Sequence, residues 1–391
     1  MYLMLFPAIV FALKYWTVFA SDLAIPFMSI FVFVLCQPLL ALAGNQNFEV
    51  FLSGLSYLTS IISALGIYLL MKDLPRHRLQ RMYFVTWAIF IVLAILESYG
   101  LRPVFDAVRA DLYADSNRGV YLSTARDISI YGRVRPTVLA SEPSFLAMTL
   151  ATLSFLALAF RPKPRSKNAI LKYLVMIAVS YVTVNSLSLV FHLTASLLWL
   201  SWPNRAVRTT TIAAILLSMA TLLFWGSSGG ADNLPFIHTQ SGSFFGRIVA
   251  GPQMAALVLA ERPFFGLGLS NVDGGLRFAH EVWDLNGAWS RFPWYANGDA
   301  DNLVTSGVWW QLSYFGILGE VAFIGLIFWL LRAAGVRYPS RPIALTAIIW
   351  YGSGSGVDAG SWLFVAIFAL SPVVDAASER KLVPKARDEM T

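Results

Sequence analysis

The stretch Leu303–Arg332, LVTSGVWWQLSYFGILGEVAFIGLIFWLLR, decides the fold. A bilayer core takes about 20 apolar residues of α-helix, and this run is overlong for one crossing. It reads as a short half-helix followed by a full one. Working outward, ten more apolar runs of near-span length appear, at roughly 1–20, 23–42, 51–71, 82–99, 143–160, 170–185, 187–202, 209–226, 342–357 and 359–375. The 391-residue chain is 57% hydrophobic and 13% charged, with a mean hydropathy of +0.63. Soluble domains carry about 25% charged residues. The expectation is an all-α polytopic membrane protein with about 11 transmembrane helices (range 10–13), forming one integral membrane domain over 1–391.

Charge placement gives the topology. Of the 29 Lys and Arg, 18 fall in five short segments between runs: Lys72–Arg81, Arg161–Lys172, Arg205–Arg208, Arg332–Arg341 and Arg380–Arg387. Cytoplasmic loops collect such residues, so these segments and the C-terminus are expected in the cytoplasm. An odd number of spans then puts the N-terminus outside. The net charge of +7 is accounted for in this way, without a nucleic-acid partner. The first apolar run begins at Met1 with no basic segment ahead of it and no small-residue cleavage site, which predicts a retained helix. Cys36 is the single cysteine; it excludes an internal disulfide and any multi-cysteine metal site and reads as a small buried hydrophobe.

Three segments are then external: 43–50, the first long loop at 100–142, and the large loop at 227–302. The two long loops hold ten of the other eleven basic residues. Topology does not demand arginine there, so these residues serve structural pairing or an anionic ligand. The large loop carries Arg247, Arg262, Arg277 and Arg291, seven acids and eleven Phe, Trp and Tyr residues. A long ordered loop loses much conformational entropy and is usually functional or disordered, and this one is too aromatic to be a disordered spacer. Short helices are expected within both loops. One is 252–260, started by Pro252 and ended by Glu261-Arg262-Pro263.

Several loop residues could do chemistry. In YGRVRPTVLASEPSFLAMTL, Pro143 suits the first turn of the next span, Ser141 its N-cap, and Glu142 lies near the positive helix end. In FFGRIVAGPQMAALVLAERPFFGLGLSN, Arg247 precedes an apolar helix, and Gly266 and Gly268 permit tight turns. In WDLNGAWSRFPWYANGDADN, the aromatics Trp283, Trp289, Phe292, Trp294 and Tyr295 could line a glycan groove or form an interfacial belt. Asp301 could act as a base or cap the helix beginning near Leu303, with Asp299 a weaker alternative. His192 lies within a span and reads as a neutral histidine bonded to a neighbouring helix; intramembrane ionisable groups are also functional candidates. His238 and His280 lack metal-ligand spacing, so no metal or other cofactor is implied. Asp358 sits at the outer end of the last hairpin.

Three of these segments, taken together, resemble the bacterial O-antigen polymerase and O-antigen ligase superfamily: polytopic glycosyltransferases that move glycans from polyprenyl-pyrophosphate carriers outside the cytoplasmic membrane. The first is Arg133, Arg135 and SEPSFLA. The second is Arg247 followed, after an apolar helix, by ERPFFGLGLSN. The third is DADNLV followed by YFGILG. The matches run from about residue 133 to 320. Two departures stand out. Asp301 occupies the place of the histidine taken as catalytic in the ligases, and NSLSLVFHLTAS lacks the arginine that many members carry in a central span. Both favour a polymerase over a ligase.

The resemblance implies a donor and an acceptor that are both polyprenyl-pyrophosphate-linked oligosaccharides at the membrane lipid, with a chain-length regulator as a further partner. Arginine can bind two oxygens of a leaving pyrophosphate at once; Arg247, Arg135 and Arg133 are the candidates. A carboxylate can take the proton of an attacking sugar hydroxyl; Glu142 and Asp301 are the candidates. Direct attack would invert the anomeric carbon. A ligase of the same fold is the alternative, and a lipid-linked oligosaccharide flippase the alternative of another class. The flippase reading is disfavoured because ionisable residues concentrate in the loops and no internal repeat is found.

Overall fold

The computed structural model describes residues 22–40, 47–72, 74–113, 124–201, 205–227, 242–269, 271–295 and 303–352. All regular structure among them is helical. The helices are α1 (Ala24–Leu40), α2 (Asn47–Lys72), α3 (Arg76–Leu96), α4 (Arg102–Leu112), α5 (Thr124–Tyr131), α6 (Pro143–Ala159), α7 (Lys167–Val184), α8 (Ser188–Ser201), α9 (Arg205–Ser227), α10 (Gly251–Glu261), α11 (Val272–Leu285), α12 (Ala288–Arg291), α13 (Gly307–Ala333) and α14 (Ser340–Tyr351). Both long loops contain short helices, as expected.

Among the described residues, three helical stretches are long and apolar enough to cross a membrane: Arg76–Leu112, Lys167–Val184 and Gly307–Ala333. Shorter apolar helices cover Ala24–Gln37, Gly54–Leu69, Pro143–Ala159 and Ser188–Ser201. The expected count near eleven is therefore not reproduced at full length. The runs at 1–20 and 359–375 lie outside the described residues. Cys36 is half-buried rather than fully buried.

The chain forms two compact units. Within residues 74–215, α6 is the central element. Its sequence PSFLAMTLATLSFLALA is apolar all round, which suits a helix with no polar face to offer, and it is buried along most of its length. α3, α7 and α8 pack on it. Small residues such as Ala147, Ala151 and Ser154 are fully buried on α6, as close helix approach in an apolar setting requires. α3 has two apolar faces. Leu79, Tyr83, Trp87, Ile91 and Ala94 point inward, while Val85, Ile89, Val92 and Leu96 are exposed. A helix between protein and hydrocarbon has this pattern. The cramped pair at 170–202 turns at Asn185, whose left-handed φ of 48° ends α7 and whose N–H donates to the Tyr181 carbonyl at 2.7 Å.

The other unit is organised by α13, against which α1, α10 and α14 pack. The half-helix reading holds: α13 is broken at Gly316, where φ is 65° and ψ is −176°. The break is closed by the turn at 263–268. Leu267 and Gly268 donate backbone hydrogen bonds to the Ser313 and Tyr314 carbonyls, each at 2.9 Å. In return, Ile317 donates to the Pro263 carbonyl at 2.8 Å, and Leu318 donates to the Phe264 carbonyl at 3.1 Å. Carbonyls and amides freed by the break are thus used by protein, as irregular backbone in an apolar layer requires. Two glycines make the approach possible. A Cβ on Gly266, at φ 61°, would sit 2.2 Å from the Ser313 carbonyl oxygen, and one on Gly316 would sit 2.6 Å from the Gly266 nitrogen.

Candidate functional site

Arg247 lies on a π-helical turn, Phe245–Ala250, that leads into α10. Such one-turn widenings of a helix often occur at functional sites. The whole turn is buried, and Arg247 is only 7% exposed. The segment Leu303–Ser306 docks on the residue before it. Thr305 donates its backbone N–H to the Gly246 carbonyl at 3.3 Å. A Cβ on Gly246 would fall 2.8 Å from the Leu303 carbonyl oxygen, so only glycine admits the segment. Indoles hold its other side, with Trp283 donating to the Leu303 carbonyl at 3.2 Å and Trp310 to the Val304 carbonyl at 2.6 Å. The hydroxyls of Thr305 and Ser306 are shut off from solvent without a hydrogen-bond partner. A buried guanidinium, with two hydroxyl groups on the adjoining segment, is the donor chemistry that stabilises oxyanions.

Five of the large-loop aromatics form one cluster. Trp283 is fully enclosed, with ring centroids of Trp289 at 4.9 Å, Tyr295 and Phe245 at 5.2 Å, and Phe292 at 6.0 Å. Trp283 is therefore the packed centre of the group and has no free face. Trp289 and Tyr295 are half-buried at its edge; the Trp289 indole donates to Asp284 at 2.6 Å, and His280 meets the Trp289 ring edge-on at 5.3 Å. The Trp294 side chain, and all of Asp299, Asp301, His238 and Asp358, lie outside the described residues.

The first long loop is built on buried ion pairs. Gly100, at φ 137°, breaks the helix after Glu97 and turns α4 away. Arg109 on α4 is fully buried and donates to Glu97 at 2.8 Å and to the Val138 carbonyl at 2.7 Å; it also pairs with Asp106. Glu97 accepts the Thr137 and Val138 amides at 2.9 and 2.5 Å. Together they hold Val138 at φ 53°, a strained position for a β-branched residue.

Arg135 is committed to a second pair. Its Nε and Nη2 donate to Oδ1 of buried Asp127 at 3.1 and 2.9 Å, its backbone amide donates to Oδ2, and its guanidinium lies 4.1 Å over the Tyr131 ring. Its Nη1 donates to the Asn185 carbonyl at 3.3 Å. Arg133, which is exposed, donates to the Val182 and Thr183 carbonyls. Both arginines thus cap the C-terminus of α7, where cations are favoured by the helix dipole. Glu142, not Ser141, is the N-cap of α6; its carboxylate is exposed and accepts the Ser144 hydroxyl at 2.9 Å. His192 is buried, and its Nδ1 meets the Ser188 carbonyl of its own helix at 2.9 Å.

Sequence reasoning missed Glu97, Arg109, Asp127, Thr305 and Ser306. A signal existed for Glu97, an acid at the very end of an apolar run. None marks the hydroxyl residues, whose role comes from a fold-dependent approach to Gly246. Compared with known protein families, curated proteins and solved structures, the chain finds no match.

Proposed function

We propose that this protein is a glycan polymerase of the bacterial cytoplasmic membrane, joining polyprenyl-pyrophosphate-linked oligosaccharide repeat units on the periplasmic face, with its C-terminus in the cytoplasm. The products would be O-antigen, capsule or exopolysaccharide. The observation that carries the reading is Arg247, buried on a π-helical turn whose Gly246 receives the segment that bears the unbonded hydroxyls of Thr305 and Ser306. Its sequence context supplies the rest, with Asp301 two residues ahead of Leu303.

In the proposed reaction a hydroxyl of the acceptor sugar attacks the anomeric carbon of the donor. The bond from that carbon to the pyrophosphate oxygen breaks, and the configuration inverts. Arg247 binds the charge that develops on the leaving pyrophosphate. A carboxylate, Glu142 or Asp301, takes the hydroxyl proton. No metal takes part in this scheme. The lipid chains remain in the bilayer, and holding both glycans at its surface supplies rate through proximity.

The test is polymerisation by purified protein given a lipid-pyrophosphate oligosaccharide, without nucleotide and with a chelator present, and the products sized on a gel. A ladder is expected. Arg247→Ala should slow it about 100- to 1000-fold, the usual loss when an oxyanion donor is removed. Glu142→Gln and Asp301→Asn then identify the base. A protein that yields no ladder but carries the same lipid across liposomes would be a flippase, and the proposal would be wrong.

A further inference from the structure

Near the middle of α13, in its apolar stretch, stands an acid that the proposed chemistry does not use. Glu320 follows the Gly316 break by one turn, and Gln311 precedes it. The two side chains meet across the break, the Gln311 amide donating from Nε2 to Glu320 Oε1 at 3.1 Å. Gln311 is 7% exposed. The remaining oxygens, Oε1 of Gln311 and Oε2 of Glu320, are both closed off from solvent and neither has a hydrogen-bond partner.

Both of these leftover atoms are acceptors. One is an amide oxygen and the other a carboxylate oxygen, and an ionised carboxylate can only accept. An isolated carboxylate in an apolar interior is strongly disfavoured, and such groups neutralise instead. A single hydrogen resolves both shortages. With a proton on Oε2, the acid can donate to Gln311 Oε1 while Gln311 Nε2 donates to Glu320 Oε1. The result is a closed amide–acid pair with two hydrogen bonds and no net charge.

The surroundings supply no substitute cation among the described residues. α2 presents Tyr57, a titratable group that acts electrostatically on Glu320. α1 contains no Asp, Glu, Lys or Arg, and its titratable residue is Cys36. α10 carries Glu261, which is paired with Arg277. On α14, Arg341 lies over the Tyr338 ring at 4.1 Å and Tyr351 packs on Trp309 at 5.8 Å.

We propose that Glu320 is a proton-binding site, held as the neutral carboxylic acid in a cyclic pair with Gln311 that ties together the two halves of α13. The proton comes from water and returns to it. Its loss places a negative charge across the helix break and leaves one hydrogen bond where there were two.

Infrared spectroscopy of the full-length protein at neutral pH tests this. The wild type is expected to show a protonated-carboxyl band that shifts in heavy water and is lost in Glu320→Gln. In Gln311→Leu the band should move toward that of an acid with no acceptor. A wild-type spectrum identical to that of Glu320→Gln overturns the proposal, as does a band that ignores Gln311→Leu. Melting gives an independent reading. The folded chain would hold a proton that the unfolded chain releases, so stability falls as pH rises. The wild type should lose several degrees between mildly acidic and mildly alkaline buffer relative to Glu320→Gln, and equal profiles would sink the idea.

Discussion

Arg109 shows what a single buried charge does in this chain. Its guanidinium has no exposed surface and serves Glu97, Asp106 and the Val138 carbonyl at once. Removing one partner of a buried pair leaves the other charged and desolvated, which costs about 3–5 kcal/mol. Arg109→Met should therefore lower the melting temperature sharply, and adding Glu97→Gln to it should restore part of the loss. Additive losses in that double variant would mean that the two residues do not act as a pair. Val138 depends on the same contact, since its left-handed backbone is held by the Glu97 carboxylate and the Arg109 guanidinium. The contrast with Arg135 is instructive. The family resemblance makes it a candidate ligand for pyrophosphate. The fold instead gives it Asp127, eight residues earlier, and the C-terminal carbonyl of α7. Neither partner is marked in the sequence, because both depend on how α5 and α7 are brought to it.

At the scale of an element, the broken α13 is the most demanding piece of local structure. Gly316 must have a positive φ and must let the 263–268 turn approach to backbone contact. An L-residue in the left-handed region costs about 1–2 kcal/mol, and a Cβ here also meets backbone. Gly316→Ala and Gly266→Ala should each destabilise by more than that, and hydrogen exchange at Leu267 and Gly268 should speed up. Gly325, on the same helix with open space around it and an ordinary φ, is the control: Gly325→Ala should leave melting unchanged or raise it slightly. If all three variants melt alike, the turn does not close the break. The overlong run at 303–332 made a half-helix legible in advance. The position of the break was not legible, because it is set by a partner turn distant in sequence.

For the whole molecule, apolar run length carried most of what could be read. Helices stand where most of the runs were expected, and the short helix after Pro252 lies where its Pro and Glu-Arg-Pro signals put it. Run length says less about how many helices cross a membrane, and among the described residues three have both the length and the apolarity. The candidate site was legible only in part. Arg247 stands out as an arginine beside an apolar helix, whereas Thr305 and Ser306 are ordinary residues until the fold sets their segment on Gly246. The proposed topology has its own check. With Cys36→Ser as background, the sole cysteine is gone, and single cysteines can be placed at exposed positions. Glu281→Cys should react with an impermeant thiol reagent added to intact cells, and Lys163→Cys should react only after the membrane is opened. The reverse pattern would invert the molecule and move the proposed site to the cytoplasm.

The closure of the α13 break also bears on how this protein can vary. The hydrogen bonds between the 263–268 turn and the break run between main-chain atoms: Leu267 and Gly268 to Ser313 and Tyr314, Ile317 to Pro263, and Leu318 and Gly319 to Phe264. Main-chain groups are supplied by almost any amino acid. The joint therefore constrains the two glycines and leaves the remaining side chains open to exchange, subject to packing alone. In a saturation library this region would tolerate broad substitution, interrupted by sharp intolerance at Gly266 and Gly316. Two chains could share the joint in atomic detail while agreeing at little more than those two letters.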